Sequence, residues 1–212
     1  MNTTGRTKSH LVAGARVAAA DDRTRYDEFA ILLHWALVVL VLTQFGLAEL
    51  WDLAARSTKH TMIVSHMTCG ILLLAVAILS IVWRLLPGHQ VRPAATGLVE
   101  FAAKTVQFIL YGLILVQGAL GFALRWSGNE AMSFFGIAIP PPFPPTSKPT
   151  HELLGTVHDY VGWTIIILAA GHAAAALIHH FILRDDVLWR MLPGGHARRQ
   201  ESRRPSPENA AR

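Results

Sequence analysis

Four histidines interrupt segments that are otherwise apolar: His34, His66, His158 and His172. A polar or ionisable side chain at bilayer depth is costly, and the default reading of one is functional. His158 and His172 stand fourteen residues apart on one predicted helix. That spacing advances the chain by about 21 Å and leaves the two side chains roughly 40° apart. They therefore share a face, one toward each surface of a membrane. Neutral imidazole is an axial ligand for haem iron, and helix bundles hold such cofactors between side chains on facing helices. One imidazole at each of two levels, twice over, is the ligand set for two haems stacked across a bilayer.

The elements that must position these histidines are legible in the composition. The 212 residues are 52% hydrophobic and 16% charged, whereas an average soluble chain carries about a quarter charged residues. Four apolar stretches account for the difference: 29–50, 62–86, 105–124 and 153–183. Each is long enough for a hydrocarbon core of about 30 Å, which takes roughly 20 residues. The fold class expected is an all-α membrane protein, a four-transmembrane-helix bundle. Lys and Arg set its orientation. Fifteen of the 19 lie in the two tails and the connection between the second and third spans. Arg56, Lys59, Arg125 and Lys148 fall on the other side. The excess of cations belongs in the cytoplasm, so both termini are expected there. These basic residues flank membrane spans without interleaved aromatics, so the net charge of +5 is not read as a nucleic-acid footprint.

With the amino terminus inside, depth fixes the pairing. His34 lies about five residues into the first span, near the cytoplasm, and His172 sits late in the fourth, also near the cytoplasm. His66 and His158 open the second and fourth spans on the opposite side. Level matches His34 with His172 and His66 with His158, two bis-histidine haem b sites with no ligand left over. Gly70 and Gly162 lie one turn after His66 and His158, and Gly171 precedes His172, small residues that allow close approach of a macrocycle or a backbone. The third span, with Gly112, Gly118 and Gly121, is assigned to packing.

The domain plan is a flexible cytoplasmic tail over 1–28, a membrane domain over 29–193 and a disordered basic tail over 194–212. Trp83-Arg84-Leu85-Leu86-Pro87-Gly88 and Trp189-Arg190-Met191-Leu192-Pro193-Gly194 are near-copies. Each reads as an interfacial anchor followed by a stop, the second lying along the membrane surface. The connection 126–150 carries a proline run, Pro140 to Pro145 broken only by Phe143, which favours stiff polyproline geometry. It is read as a rigid cap, with a lid over an outward site as the alternative. His179 and His180 are read as interfacial residues at a helix end, and His60 and His151 as flanking residues able to touch haem propionates or relay protons. His10, His89 and His196 are read as solvated. Cys69, the one cysteine, is an apolar filler, and no C-x-x-C-H site for covalent haem exists.

The pair His34-Trp35, the stretch His66-Met67-Thr68-Cys69-Gly70 and the run from His158 through Gly171-His172-Ala173 to His179-His180 together resemble the bacterial cytochrome b561 family. The likeness continues through Asp186, Leu188 and Arg190-Met191-Leu192-Pro193, covering roughly residues 29–193. The resemblance implies a four-helix bacterial inner-membrane cytochrome with two b haems that exchanges electrons with ubiquinone. It implies axial-ligand roles for His34, His66, His158 and His172, and, as in one similar protein, oxidation of periplasmic superoxide. The longer amino-terminal tail and the proline-rich connection depart from the pattern. Three functions follow. The first is a quinone-linked oxidoreductase taking electrons from a periplasmic donor, with the four outward cations steering superoxide inward. The second is a haem-bearing anchor subunit relaying electrons for a partner dehydrogenase or hydrogenase. The third is a metal-ion transporter, which needs ligand clusters at one level.

Overall fold

The computed structural model describes residues 27–87, 98–184 and Met191. Most of the expected amino-terminal tail, part of the second interhelical connection with His89, the carboxy-terminal tail expected over 194–212, and all of 189–194 except Met191 lie outside the described residues. Four long helices dominate: α1 (Glu28–Leu50), α2 (Arg56–Leu85), α3 (Leu98–Ser127) and α4 (Lys148–Phe181). All four are long and apolar enough to cross a membrane. Helices are the expected solution, because lipid offers backbone amides and carbonyls no partner and a helix satisfies them internally.

Two of the helices, α1 and α4, begin at side-chain caps. Asp27 accepts the Ala30 amide at 2.6 Å through Oδ1 and the Trp83 indole N–H at 2.9 Å through Oδ2, so it caps α1 and ties it to α2. Ser147 caps α4 by accepting the Thr150 amide at 3.4 Å, with Pro149 in the first turn. α2, α3 and α4 all start several residues before the apolar stretches on which they were expected. Nothing in these polar flanks breaks helix, so the helices run past the apolar stretches.

α1 lies along α2, α3 along α4, and α2 against α3, whereas α1 touches α4 only lightly. The tightly packed centre is made by Leu37, Leu73, Ala77, Ile114 and Ile165, with Leu40, Val76, Tyr111 and Val161 around it. An even number of spans brings Asp27 and Arg184 to the same end of the bundle, termed here the tail end.

The opposite end holds the one departure from an all-helical reading. β1 (Met132–Phe134) and β2 (Ile137–Ile139) form an antiparallel hairpin, Met132 opposite Ile139 and Phe134 opposite Ile137. Its two-residue turn has φ 48° at Phe135 and 83° at Gly136, the doubly positive geometry whose twist matches paired strands. The hairpin is latched to the bundle at both edges. The Thr68 hydroxyl on α2 donates to the Ser133 carbonyl at 3.4 Å and accepts from the Phe135 amide at 3.3 Å. On α3, Arg125 Nε donates to the Ala131 carbonyl and Trp126 Nε1 to the Ile139 carbonyl, each at 3.4 Å. Met132 is buried beneath it. The connection is therefore an ordered cap rather than a bare polyproline strut.

Candidate functional site

α2 and α4 each carry a histidine ten residues after their first residue, His66 after Arg56 and His158 after Lys148. At 1.5 Å per residue both lie about 15 Å along their helices, at matching depth. Their ring centroids are 6.4 Å apart with planes at 72°. A single metal atom bonded to one nitrogen of each ring, at about 2 Å per bond, spaces two imidazole centroids by about 6 Å. The separation matches two ligands on one metal as well as an edge-to-face contact between the rings.

The ring nitrogens of His66 are sorted by its surroundings. Nδ1 lies 3.2 Å from the Gln44 carbonyl oxygen, which only accepts. Nδ1 therefore carries the proton and Nε2 keeps its lone pair for a metal, the usual outer support of a metal-binding histidine. The Trp51 ring, in the 3₁₀ turn Trp51–Leu53 that follows α1, packs on His66 with centroids 5.3 Å apart. His158 is held differently. Its Nε2 lies 3.2 Å from Gln117 Nε2, and its Nδ1 is buried without a partner. Buried polar atoms lacking partners are rare and call for a reason. Here a donor set of two imidazoles, one with an orphaned nitrogen, fits haem iron.

The two glycines one turn beyond these histidines serve a purpose the sequence does not declare. A β-carbon on Gly70 would stand 2.6 Å from Gln44 Nε2, and one on Gly162 would stand 3.2 Å from Gln117 Nε2. Each helical pair thus lays a glutamine from its first helix over a glycine of its second. Both glutamine Oε1 atoms are buried without partners. Sequence reasoning missed Gln44 and Gln117. The available signal was an uncharged amide inside an apolar span, which needs a partner as surely as a charge does.

At the tail end, His34 on α1 and His172 on α4 come within electrostatic reach of each other, and Arg84 within reach of His34. Arg84 also donates to Gln107 Oε1 at 3.0 Å. His172 is exposed, flanked along α4 by the small residues Gly171 and Ala173 to Ala175. Between the two levels lies the apolar centre, with Ile165 seven residues from both His158 and His172. His66 and His158 are thus brought together, and His34 and His172 come within electrostatic reach of each other.

The remaining histidines separate from them. His151 Nδ1 lies 2.7 Å from the Ser127 hydroxyl, which itself donates to the Leu124 carbonyl at 2.7 Å. His151 therefore donates, and it clamps the end of α3 to the start of α4, a structural task. His60 is exposed. His180 stacks edge-on against Phe181 with centroids 4.7 Å apart at the end of α4. Three of the four cations at the hairpin end are engaged with carboxylates. Lys59 meets Asp52 at 2.5 Å, Lys148 meets Glu152 at 3.7 Å, and Arg125 pairs with Glu130. The field expected from four free cations is largely cancelled. Among the described residues no group of three or more His, Cys, Asp or Glu side chains could hold a metal ion.

Comparison with known proteins places this arrangement. A family described as prokaryotic cytochrome b561 matches residues 25–194. The chain is 31% identical over 181 residues to cytochrome b561 homolog 1 of Escherichia coli strain K12, covering 80% of this chain and 97% of that protein. It is 27% identical over 172 residues to cytochrome b561 homolog 2 of the same strain, with 79% and 91% covered. It is also 27% identical over 176 residues to the probable superoxide oxidase CybB of Yersinia pestis, with 80% and 96% covered.

Proposed function

Because this chain belongs to the prokaryotic cytochrome b561 family, a family of haem-bearing electron-transport proteins of bacterial membranes, we propose that it is a di-haem b-type oxidoreductase that carries electrons from periplasmic superoxide to ubiquinone in the bilayer. His66 and His158 would hold one haem at the hairpin end; His34 and His172 would hold the other at the tail end. Haem supplies a one-electron carrier at each level. The excess of Lys and Arg at the tail end supports a cytoplasmic location for it, which puts the hairpin end in the periplasm.

The protein's own groups do the rest. With two imidazoles to hold each iron, the haem would supply one-electron transfer at its edge and the donor would not need to bond the metal. The Gln44 carbonyl fixes which nitrogen of His66 faces the site. Trp51 packs over the His66 ring, and the apolar layer of Leu37, Leu73 and Ile165 keeps the two levels apart. Two superoxide anions lose one electron each and leave as dioxygen; ubiquinone takes up two electrons and two protons as quinol.

The observation that carries this reading is the 6.4 Å pair of His66 and His158, set fourteen residues from a second histidine on the same face of α4. The test is spectroscopic. Purified full-length chain is expected to show b-type bands in a reduced-minus-oxidised spectrum and two haems per chain by pyridine haemochrome. Under anaerobic conditions, superoxide is expected to reduce ubiquinone through it with no added subunit. Absence of b bands overturns the haem assignment, and haem reduction without quinol formation overturns the acceptor.

A further inference from the structure

The Thr68 latch fixes where the hairpin stands on the bundle and how deep it reaches. Thr68 follows His66 by two residues, a rotation of about 200° on a helix, so it occupies the face of α2 turned away from the histidine pair. Gly70, about 40° from His66, is the position that meets α1 through Gln44. The hairpin that Thr68 holds therefore lies on the outside of the bundle, against α2 and α3. Two rulers give its depth. From Met62 to Val82 α2 carries no Asp, Glu, Lys or Arg, a run of about 30 Å that matches a hydrocarbon core. Thr68 stands six residues after Met62, about 9 Å inside that run. On α3 the uncharged run ends at Leu124, and the next two side chains, Arg125 and Trp126, bond the Ala131 and Ile139 carbonyls at the open end of the hairpin. The four extended residues from Ala131 to Phe135 span about 13 Å at most. Both rulers carry the turn below the edge of the apolar zone.

The side chains at that depth suit lipid. Phe135 is 70% exposed and Ile137 67%, although both sit on an ordered, latched element. Thr68 bonds the Ser133 carbonyl and the Phe135 amide on the edge that faces α2. The other edge is short: with a two-residue turn closing on Phe134 and Ile137, Ala138 is the residue of β2 that turns its amide and carbonyl outward. Such an edge is excluded from the centre of a bilayer and tolerated near the headgroups, where water still reaches. Trp126 and Phe143, with ring centroids 6.1 Å apart at the open end, supply the aromatic pair expected at that boundary. We propose that the hairpin is a membrane wedge: Phe135 and Ile137 insert between lipid acyl chains, just below the headgroups of the leaflet at the hairpin end. The wedge is independent of which residues bind haem.

The experiment uses the full-length chain in phosphatidylcholine bilayers, with Cys69→Ala removing the one native thiol. A nitroxide is attached through Ile137→Cys or, separately, Phe135→Cys, and its collisions with oxygen and with a water-soluble nickel chelate are read by electron paramagnetic resonance. Val116→Cys, outward on the middle of α3, is the lipid reference. Lys148→Cys, at the exposed start of α4, is the water reference. The two references must differ, which also shows that the labelled chain spans the bilayer. Oxygen concentrates in lipid and the chelate in water, so the expected oxygen-to-nickel ratio at 135 and 137 is several-fold above that at 148. A ratio between the two references, or equal to that at 116, supports insertion. A ratio equal to that at 148 at both positions overturns it. Few collisions with either reagent would mean that protein, a second copy or a soluble partner, covers the tip, and that overturns it as well.

Discussion

The two histidine pairs are built in contrasting ways. The pair at the hairpin end is enclosed by every element of the fold: Gln44 and Trp51 from α1 and its 3₁₀ extension, His66 from α2, Gln117 and Gly121 from α3, His158 from α4, with the hairpin latched beside it at Thr68. The pair at the tail end spans α1 and α4, which barely meet elsewhere, and its His172 is exposed. Packing over-determines the first site. The second depends on its own ligands and on Arg84 nearby. Yet both are set in register by one helix, because α4 contributes a histidine to each with Ile165 midway between them. The contrast is sharpest under ligand loss, where the largest effect is expected. His66→Ala should lower the haem content from two per chain to one and leave the tail-end haem's spectrum intact, and His34→Ala should do the converse. Loss of both haems from either variant would mean that the apolar layer does not isolate the levels.

A smaller effect is expected at the latch. Thr68→Val keeps the shape of the side chain and deletes the hydroxyl that serves both Ser133 and Phe135. A hydrogen bond of this kind contributes about 1 kcal/mol net, a factor of roughly five in a local opening equilibrium. Hydrogen exchange of the amides in 132–139 should accelerate by about that factor while haem content stays at two. Unchanged exchange would assign the hairpin's order to the buried Met132 and to the α3 contacts of Arg125 and Trp126.

How far the sequence carries follows from the physics of each part. The four helices are legible because lipid forbids any other local structure to a long apolar segment. The histidine pairs are legible because an imidazole at depth is costly and because helical spacing fixes its level. The hairpin is not: its strands are three residues long, and its turn is Phe135-Gly136 where Asn-Gly would have announced it. Gln44 and Gln117 are illegible for another reason. A neutral amide carries no charge signature, and its role depends on which glycine of a neighbouring helix it lies against. Charges at the hairpin end mislead when counted without their partners, since Asp52, Glu130 and Glu152 fold back onto three of the cations.

That last point yields the smallest effect and reverses an expectation from sequence. Four free cations around a site for a small anion would raise its capture rate and make the rate fall steeply with salt. With three of them paired, steering at the hairpin end rests on Arg56, which has no salt-bridge partner among the described residues. The Debye length shortens to about 8 Å at physiological ionic strength, so a nearly neutral rim has little field to lose. The rate of superoxide-driven ubiquinone reduction should therefore change by less than about threefold between low and physiological salt, where a strongly steered reaction changes by tenfold or more. Glu130→Gln sharpens the test, because it releases Arg125 without adding a charge. That variant should react faster than wild type at low salt and lose the advantage as salt is added. A wild-type rate already steeply dependent on salt would mean that these ion pairs do not persist at the rim.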